Sequence, residues 1–223
     1  MLDTGDARWF VRISVPDDAA GPAVVFVHGV VVSGAYFWPV ANQLAGEFAL
    51  YVPDIPGTGR SSLRNGSWSI AAQADALAGW LEAHGLTGSL LVANSLGGQV
   101  VTQVAVTRPD LVSALVLVGP TTDPNAASLL RMMLRGLRDI PRERIGLWKI
   151  WLTDLVRTGP LRGIRHMREG FRDPQIDRLD EIPVPVVVVG GGMTRLPRPA
   201  GSRRWRRRSR RAAGSSCRAP PTR

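Results

Sequence analysis

Cysteine is almost absent from this sequence of 223 residues, because Cys217 is the single example. One cysteine excludes the framework of internal disulfides on which many small secreted domains depend. The N-terminal stretch MLDTGDARWF has early acids and no apolar core, so we expect no secretory signal. No apolar run approaches the roughly 20 residues that a membrane span needs. We therefore expect a cytoplasmic protein that does not enter a membrane.

Acidic residues are missing from the last part of the chain, and this absence explains the formal net charge of +10. Eleven of the 28 Lys and Arg residues lie in residues 194–223, which hold no acid, so the rest of the chain carries 17 basic against 18 acidic residues. A disordered basic tail would bind phosphates without sequence preference and with steep salt dependence. We expect no specific nucleic-acid partner.

Six apolar runs alternate with helical segments, which is the pattern of an α/β fold with a mostly parallel sheet covered by helices on both faces. The last run, PVVVVG, has the composition of a strand buried on both faces. A helix is predicted between the third and fourth runs, with Ser69 as its N-cap and Gly85 as its stop. The six predicted strands are Arg8–Val15, Ala23–His28, Phe48–Pro53, Ser89–Asn94, Ala114–Gly119 and Pro185–Gly190.

The strand signal disappears between residues 121 and 180, where Met, Leu and Trp recur at helical spacing. We expect a helical cap there, inserted into a core made of residues 1–120 and 181–193, with a basic tail at 194–223. Four side chains of the cap hint at a pocket for an apolar acyl or ring group, although core packing is the favoured interpretation of each one. They are Met132, Met133, Trp148 and Trp151.

The stretch LLVANSLGGQV places Ser95 between a strand and a helical segment. Ala93, Gly97 and Gly98 surround it, and small residues are what a sharp strand-to-helix turn needs, because its backbone is strained and neighbouring chains approach closely. Such a turn exposes the hydroxyl above the sheet, and the helix N-terminus offers the Leu96 N–H to a developing oxyanion. Ala93 stands where the G-x-S-x-G pattern has its first glycine.

Three loops together resemble the α/β-hydrolase family. They are the H-G loop at His28-Gly29, the D-x-P-G-x-G-x-S loop from Asp54 to Ser61, and the A-N-S-L-G-G elbow from Ala93 to Gly98. The resemblance extends from about residue 8 to residue 190, with the helical segment in the place of the family's cap. It implies an α/β-hydrolase core that is incomplete at its C-terminal end.

The resemblance also implies a function, which is hydrolysis of a carboxylic ester, thioester or lactone through an acyl-enzyme on Ser95. The backbone N–H groups of Val30 and Leu96 would hold the oxyanion. The family's chemistry implies a small-molecule substrate and requires neither a metal nor an organic cofactor.

The family places its catalytic acid after the strand that matches PVVVVG and its histidine later still. The histidines of this chain are His28, His84 and His166, and none follows that strand. We expect His28 to organise its loop and the other two to lie at the surface, so the histidine base is absent. Asp123 is the remaining candidate for the acid. Asp54 precedes the nucleophile, and we expect it to be structural.

The genetic code suggests a reason for the missing acid. Met193-Thr194 must be encoded by ATG-ACN, and a frame that starts at the third base of each codon gives GAC, aspartate, across that junction. The same frame converts CGN arginine codons into Ala, Pro, Ser and Thr codons. The other shifted frame reads the stop codon TGA at Met193-Thr194. Our hypothesis is that the chain follows a hydrolase gene to about Gly190 and then a shifted frame, which resequencing of the locus would test.

Three alternatives compete with an ester hydrolase. The N-S-x-G-G sequence from Asn94 to Gly98 is also similar to the elbow of hydrolases that break C–C bonds in ring-cleavage products. The missing acid and histidine favour a catalytically inactive family member. The run RRWRRRSRR favours nucleic-acid binding, although a shifted frame in a GC-rich gene would produce the same run without selection.

Overall fold

The computed structural model describes residues 2–3, 7–30, 32–64, 69–119, 145–172, 178 and 181–189. Its α-helices are α1 (Trp38–Leu44), α2 (Ile70–Ala83), α3 (Leu96–Thr107), α4 (Ile145–Thr158) and α5 (Pro160–Arg172), and short 3-10 helices cover Gly34–Tyr36 and Pro109–Leu111. Its strands are β1 (Leu2–Asp3), β2 (Ala7–Trp9), β3 (Val11–Ser14), β4 (Val24–Val27), β5 (Leu50–Pro53), β6 (Ser62–Leu63), β7 (Ser89–Asn94), β8 (Val112–Val118) and β9 (Val186–Val189).

Six of the described strands form one sheet in the order β3-β5-β4-β7-β8-β9. The edge strand β3 runs antiparallel to β5, and every other neighbouring pair is parallel. Parallel strands need long crossover connections, which is why helical segments separate β4, β5, β7 and β8 along the chain. The predicted mostly parallel sheet is confirmed.

The strand β4 shows how both faces of the sheet are covered. Successive side chains of a strand point to opposite faces. Val25 and Val27 pack into the larger core cluster with α2 and α3, whereas Val24 and Phe26 pack into a second cluster with α1. All four residues are buried, as expected for a strand between two layers of helices.

The helix predicted after Ser69 is confirmed with its caps. The Ser69 hydroxyl accepts a hydrogen bond from the Ala72 N–H at 3.2 Å, which satisfies one of the unpaired amides at the start of α2. Gly85 follows the helix end with a φ of +64°, a left-handed conformation that glycine adopts without penalty.

The first predicted strand, Arg8–Val15, is interrupted at Phe10. The strand β2 belongs to a separate three-stranded sheet with β1 and β6, and β3 joins the main sheet. The Phe10 N–H donates to the Ser61 hydroxyl at 2.8 Å, and its carbonyl accepts from the Asp54 N–H at 2.9 Å. Phe10 therefore ties the N-terminal strands to the loop after β5.

The expectation that the last strand is buried on both faces is wrong for β9. Val187 is 50% exposed and Val189 is 45% exposed, while Val186 and Val188 on the other face are partly buried. The strand pairs with β8 on one side, and among the described strands none pairs with its other side. Because β9 is an edge strand with one covered face, its side chains alternate between exposed and partly buried.

Two helices, α4 and α5, lie within the segment predicted to be the cap, and we refer to them as the cap helices. The division of the chain into core, cap and tail stays a prediction. Within the described part of the chain, no helix is both long enough and apolar enough to cross a bilayer.

Candidate active site

Ser95 lies in the sharp turn between β7 and α3, with φ of 50° and ψ of −121°. It is the one non-glycine residue among those described whose φ is positive. Such a conformation costs about 1–3 kcal/mol and persists only where the surroundings enforce it. Here the Ser95 N–H donates to the Val118 carbonyl at 3.0 Å, and the Ser95 carbonyl accepts from the Gly98 N–H at 2.9 Å.

Two glycines let the turn press against the end of β4. A Cβ atom at Gly97 would lie 2.5 Å from the Val27 carbonyl oxygen and 2.6 Å from the His28 carbonyl oxygen, distances that real Cβ atoms do not show. A Cβ atom at Gly29 would lie 3.1 Å from the Ser95 Cβ. The elbow therefore has its predicted form, because only glycine allows these two backbones to approach so closely.

The two residues predicted to supply oxyanion donors flank the elbow. Leu96 is the first residue of α3, where backbone N–H groups have no acceptor within the helix. Val30 follows Gly29, whose backbone contacts Ser95, and its side chain packs on the main core cluster. Leu96 thus directly follows Ser95 and Val30 follows the glycine that lies against it, and the oxyanion role of both residues stays a prediction.

Asp54 is fully buried and holds together three segments of the loops around the site. Its Oδ1 accepts hydrogen bonds from Arg12 Nη1 and from the Gly34 N–H, each at 2.8 Å. Its Oδ2 accepts from the Arg60 N–H at 2.9 Å, and a side chain at Gly59 would collide with that oxygen. A buried carboxylate with these partners fits the structural role expected from its position before the nucleophile.

His28 is buried, and both of its ring nitrogens are engaged. Its Nε2 accepts from the Ile55 N–H at 2.9 Å, so its proton lies on Nδ1, which is 2.8 Å from the Gly29 carbonyl oxygen. Burial lowers the pKa of His28 below its ordinary value, which keeps the ring neutral. These contacts fit the expectation that His28 organises the loop.

His166 was expected at the surface, and this expectation is wrong. The residue is 2% exposed, and its Nε2 lies 2.7 Å from Gln73 Oε1 in α2. Burial, which disfavours the charged ring, lowers the pKa of His166 to about 4. The same expectation for His84 agrees with its partly exposed position at the end of α2, where its Nδ1 lies 2.7 Å from the Trp80 carbonyl oxygen.

The helix α5 carries His166 inward because it packs directly on the elbow helix α3. Gln99 Nε2 donates to the Gly170 carbonyl at 2.7 Å, and Gly170 lies against the Leu96 side chain. Gly163, His166 and Gly170 are all buried and share one helical face, while the arginines between them are exposed. The intervals of three and four residues between Gly163, His166 and Gly170 are the sequence signal that could have predicted a buried His166.

Asp154 is a buried residue that the sequence analysis did not identify. It lies on α4, and its Oδ2 accepts from the Ser33 N–H at 2.8 Å. The Ser33 hydroxyl in turn caps the 3-10 helix through the Ala35 N–H at 3.3 Å. A cap helix therefore holds the same loop that carries Val30. The feature of the sequence that could have indicated a buried Asp154 is its position as the single acid in the mostly apolar run IWLTDLV.

No described histidine is hydrogen-bonded to the Ser95 side chain. The candidate acid Asp123 and the pocket residues Met132 and Met133 lie outside the described residues, as do the side chains of Trp148 and Trp151. The described residues hold no group of three or more His, Cys, Asp or Glu side chains that could bind a metal ion.

Comparisons with known proteins agree with this geometry. A family model described as "alpha/beta hydrolase fold" matches residues 22–146. A pimeloyl-[acyl-carrier protein] methyl ester esterase of Aeromonas salmonicida is 37% identical over 111 residues, which are 48% of this chain and 41% of that protein. Lipase LipV of Mycobacterium tuberculosis is 39% identical over 102 residues, 45% of this chain and 38% of the lipase. The matched part thus spans about two fifths of these relatives.

Solved structures share the fold over more of the chain. An enol-lactonase of Burkholderia xenovorans superposes with a TM-score of 0.69 at 15% identity, covering 86% of this chain and 81% of the enzyme. An N-acyl homoserine lactonase superposes with a TM-score of 0.68 at 23% identity, covering 86% of this chain and 76% of the lactonase. At these identities the likeness shows the fold alone.

The contact between the elbow and β4 predicts opposite effects for two glycine-to-alanine substitutions. Gly97→Ala should lower the free energy of unfolding by about 3 kcal/mol, because its methyl group meets two backbone carbonyls. Gly79→Ala in α2 has open space and should raise it by about 0.5–1 kcal/mol. Urea unfolding of both variants measures the difference. Equal effects would contradict the close approach at Gly97.

The buried His166 predicts a loss of stability in mild acid. Its pKa is about 4 in the folded chain and about 6.5 in the unfolded chain, so the unfolded chain binds its proton first. The stabilisation is complete above pH 6.5 and is lost as the pH falls toward 4, by about 3 kcal/mol.

Unfolding free energies measured between pH 7 and pH 4 test this account. We expect His166→Gln to flatten the pH dependence of the unfolding free energy. An unchanged slope in His166→Gln would show that His166 is protonated equally in the folded and unfolded chains.

Proposed function

Because the chain belongs to the α/β-hydrolase fold family, we propose that it carries the site of a serine hydrolase that cleaves a carboxylic ester, thioester or lactone. The observation that carries the proposal is the strained backbone of Ser95, with its φ of 50° at the start of α3. A protein does not maintain such strain in an ordinary turn, and a nucleophile elbow uses it to present a hydroxyl above the sheet.

In the proposed reaction, Ser95 Oγ attacks the substrate carbonyl carbon and loses its proton to a base. The carbonyl oxygen becomes an oxyanion, which accepts hydrogen bonds from the N–H groups of Val30 and Leu96 while the dipole of α3 stabilises its charge. The alcohol, thiol or ring oxygen then leaves with a proton. Water hydrolyses the resulting acyl-enzyme and regenerates Ser95.

We propose that none of the chain's three histidines serves as the base. His28 accepts the Ile55 N–H, His84 lies beside the Trp80 carbonyl, and His166 contacts Gln73. With the oxyanion donors but no base, a triad-type site retains only about 10³–10⁴-fold acceleration over water. We therefore propose slow acylation by the chain in this sequence, and full activity in a version continued in the shifted frame after Gly190.

The similarity to proteins named methyl ester esterase and lipase supports an ester as the substrate. We propose a small molecule with an apolar acyl or ring group, to be bound under the cap. The C–C hydrolase alternative shares the Asn94 to Gly98 elbow, and only substrate tests separate it from the esterase.

The test compares p-nitrophenyl esters with a ring-cleavage product, using the chain as it stands and the version continued in the shifted frame. We expect hydrolysis of the esters only, with faster release of nitrophenolate by the second version. In that version Ser95→Ala should lower kcat by at least about 10⁴-fold. Ser113→Ala, an exposed serine in β8, is the matched control and should have no effect.

Three outcomes would count against the proposal. Activity that persists in Ser95→Ala would assign the chemistry to another residue. Turnover of the ring-cleavage product alone would establish C–C hydrolysis. Inactivity of both versions toward every substrate would favour the catalytically inactive family member.

A further inference from the structure

A cavity of about 350 Å³ lies between the loop after β5 and the two cap helices. Two glycines on the loop side leave backbone, rather than side chains, on part of its wall. The opposite side is formed by Arg157 of α4 and Arg162 of α5. The loop side consists of Gly57, Gly59, Ser61, Ser62, Leu63 and Arg64.

The lining of this cavity is cationic. It contains three arginines and no acidic residue. Neither Arg157 nor Arg162 belongs to an ion pair among the described residues, so these two arginines bring charges that no described carboxylate neutralises. Two guanidinium groups at one opening repel each other, and an anion bound between them would relieve this repulsion.

The two nearest buried carboxylates do not supply that neutralisation. Asp54 lies behind Gly59 and is already bound to Arg12 and to the Gly34 and Arg60 amides. Asp154 lies one helical turn before Arg157 and accepts the Ser33 N–H. Both carboxylates bind other groups of the protein, which leaves Arg157 and Arg162 available to a ligand.

The cavity lies at the same edge of the sheet as the nucleophile. Ser95 follows β7, and the loop at 57–64 follows β5, with β4 between the two strands. Neighbouring strands are about 4.8 Å apart, so the ends of β5 and β7 are about 10 Å apart. This shared edge of the sheet is the reason to assign the cavity to the remote end of a long substrate whose carbonyl lies at Ser95.

We propose that this cavity binds an anionic group, a carboxylate or a phosphate, at the end of the substrate remote from the scissile bond. The proposal rests on the ester hydrolysis proposed above and specifies its substrate class. Planar guanidinium groups bind both anions in bidentate geometry, and the exposed Ser62 hydroxyl offers a further donor. Because Arg157 and Arg162 come from different helices, the anion also links the two cap helices across the cavity.

A series of paired esters tests the proposal. Methyl half-esters of dicarboxylic acids are compared with methyl esters of monocarboxylic acids of the same chain length. Above the length that spans Ser95 and the cavity, we expect kcat/KM to favour the anionic ester by about tenfold, since charge-assisted contacts with exposed arginines are of modest strength. The preference should decrease as salt is added.

Arginine variants test whether the preference for anionic esters arises in the cavity. The double variant Arg157→Gln, Arg162→Gln should lose the anionic preference. The control is Arg165→Gln, Arg168→Gln, because these exposed arginines of α5 do not line the cavity and should leave the preference intact. A preference that persists in the first double variant would overturn the proposal.

A binding experiment separates the anion site from the chemistry. Ser95→Ala protein is titrated calorimetrically with a free dicarboxylate and with inorganic phosphate, and the tighter ligand identifies the anion. Loss of this binding in the Arg157, Arg162 double variant supports the site, and no binding of either anion overturns it. Failure of the proposed hydrolysis would be recognised separately, as anion binding without Ser95-dependent turnover of any ester.

Discussion

The contact between the elbow and the end of β4 is the constraint on which the rest of the site depends. Gly97 brings the start of α3 against the Val27 and His28 carbonyls, and Gly29 brings the following loop against Ser95. This close approach accompanies the strained conformation of Ser95. A methyl group at Gly97 would push the start of α3 away from the end of β4, even if every other residue were retained.

Buried carboxylates hold the loop that follows this contact from two directions. Asp54 binds the Gly34 N–H from the core, and Asp154 binds the neighbouring Ser33 N–H from the cap. Each carboxylate receives backbone donors, which offsets the cost of burying its charge. The position of α4 is therefore coupled to the loop that carries Val30.

Local patterns were sufficient to predict the parts of the fold that depend on neighbouring residues in the chain. The strand at Ser89–Asn94, the Ser69 cap of α2 and the turn at Ser95 each have a signal within a few neighbouring residues, and the structure has each of them. His28 and Asp54 were also expected to be structural, because motif order already separated them from the catalytic roles.

Long-range contacts explain what the sequence could not predict. His166 lies among arginines, and only the packing of α5 on α3 turns it inward. Asp154 meets a partner 121 positions away. The break at Phe10 results from its bonds to Ser61 and Asp54, and the half-exposed face of β9 results from its edge position. Composition alone carries none of this information.

Covalent labelling with a fluorophosphonate, followed by peptide mapping of the modified serine, tests the central claim most directly. The account predicts slow modification confined to Ser95, because the elbow geometry and the oxyanion donors favour this serine even without a base. Ser95→Ala should then be unlabelled, and Gly97→Ala should label more slowly than the unaltered chain. Modification of another serine, or equal labelling of several serines, would contradict the claim that the elbow defines the nucleophile.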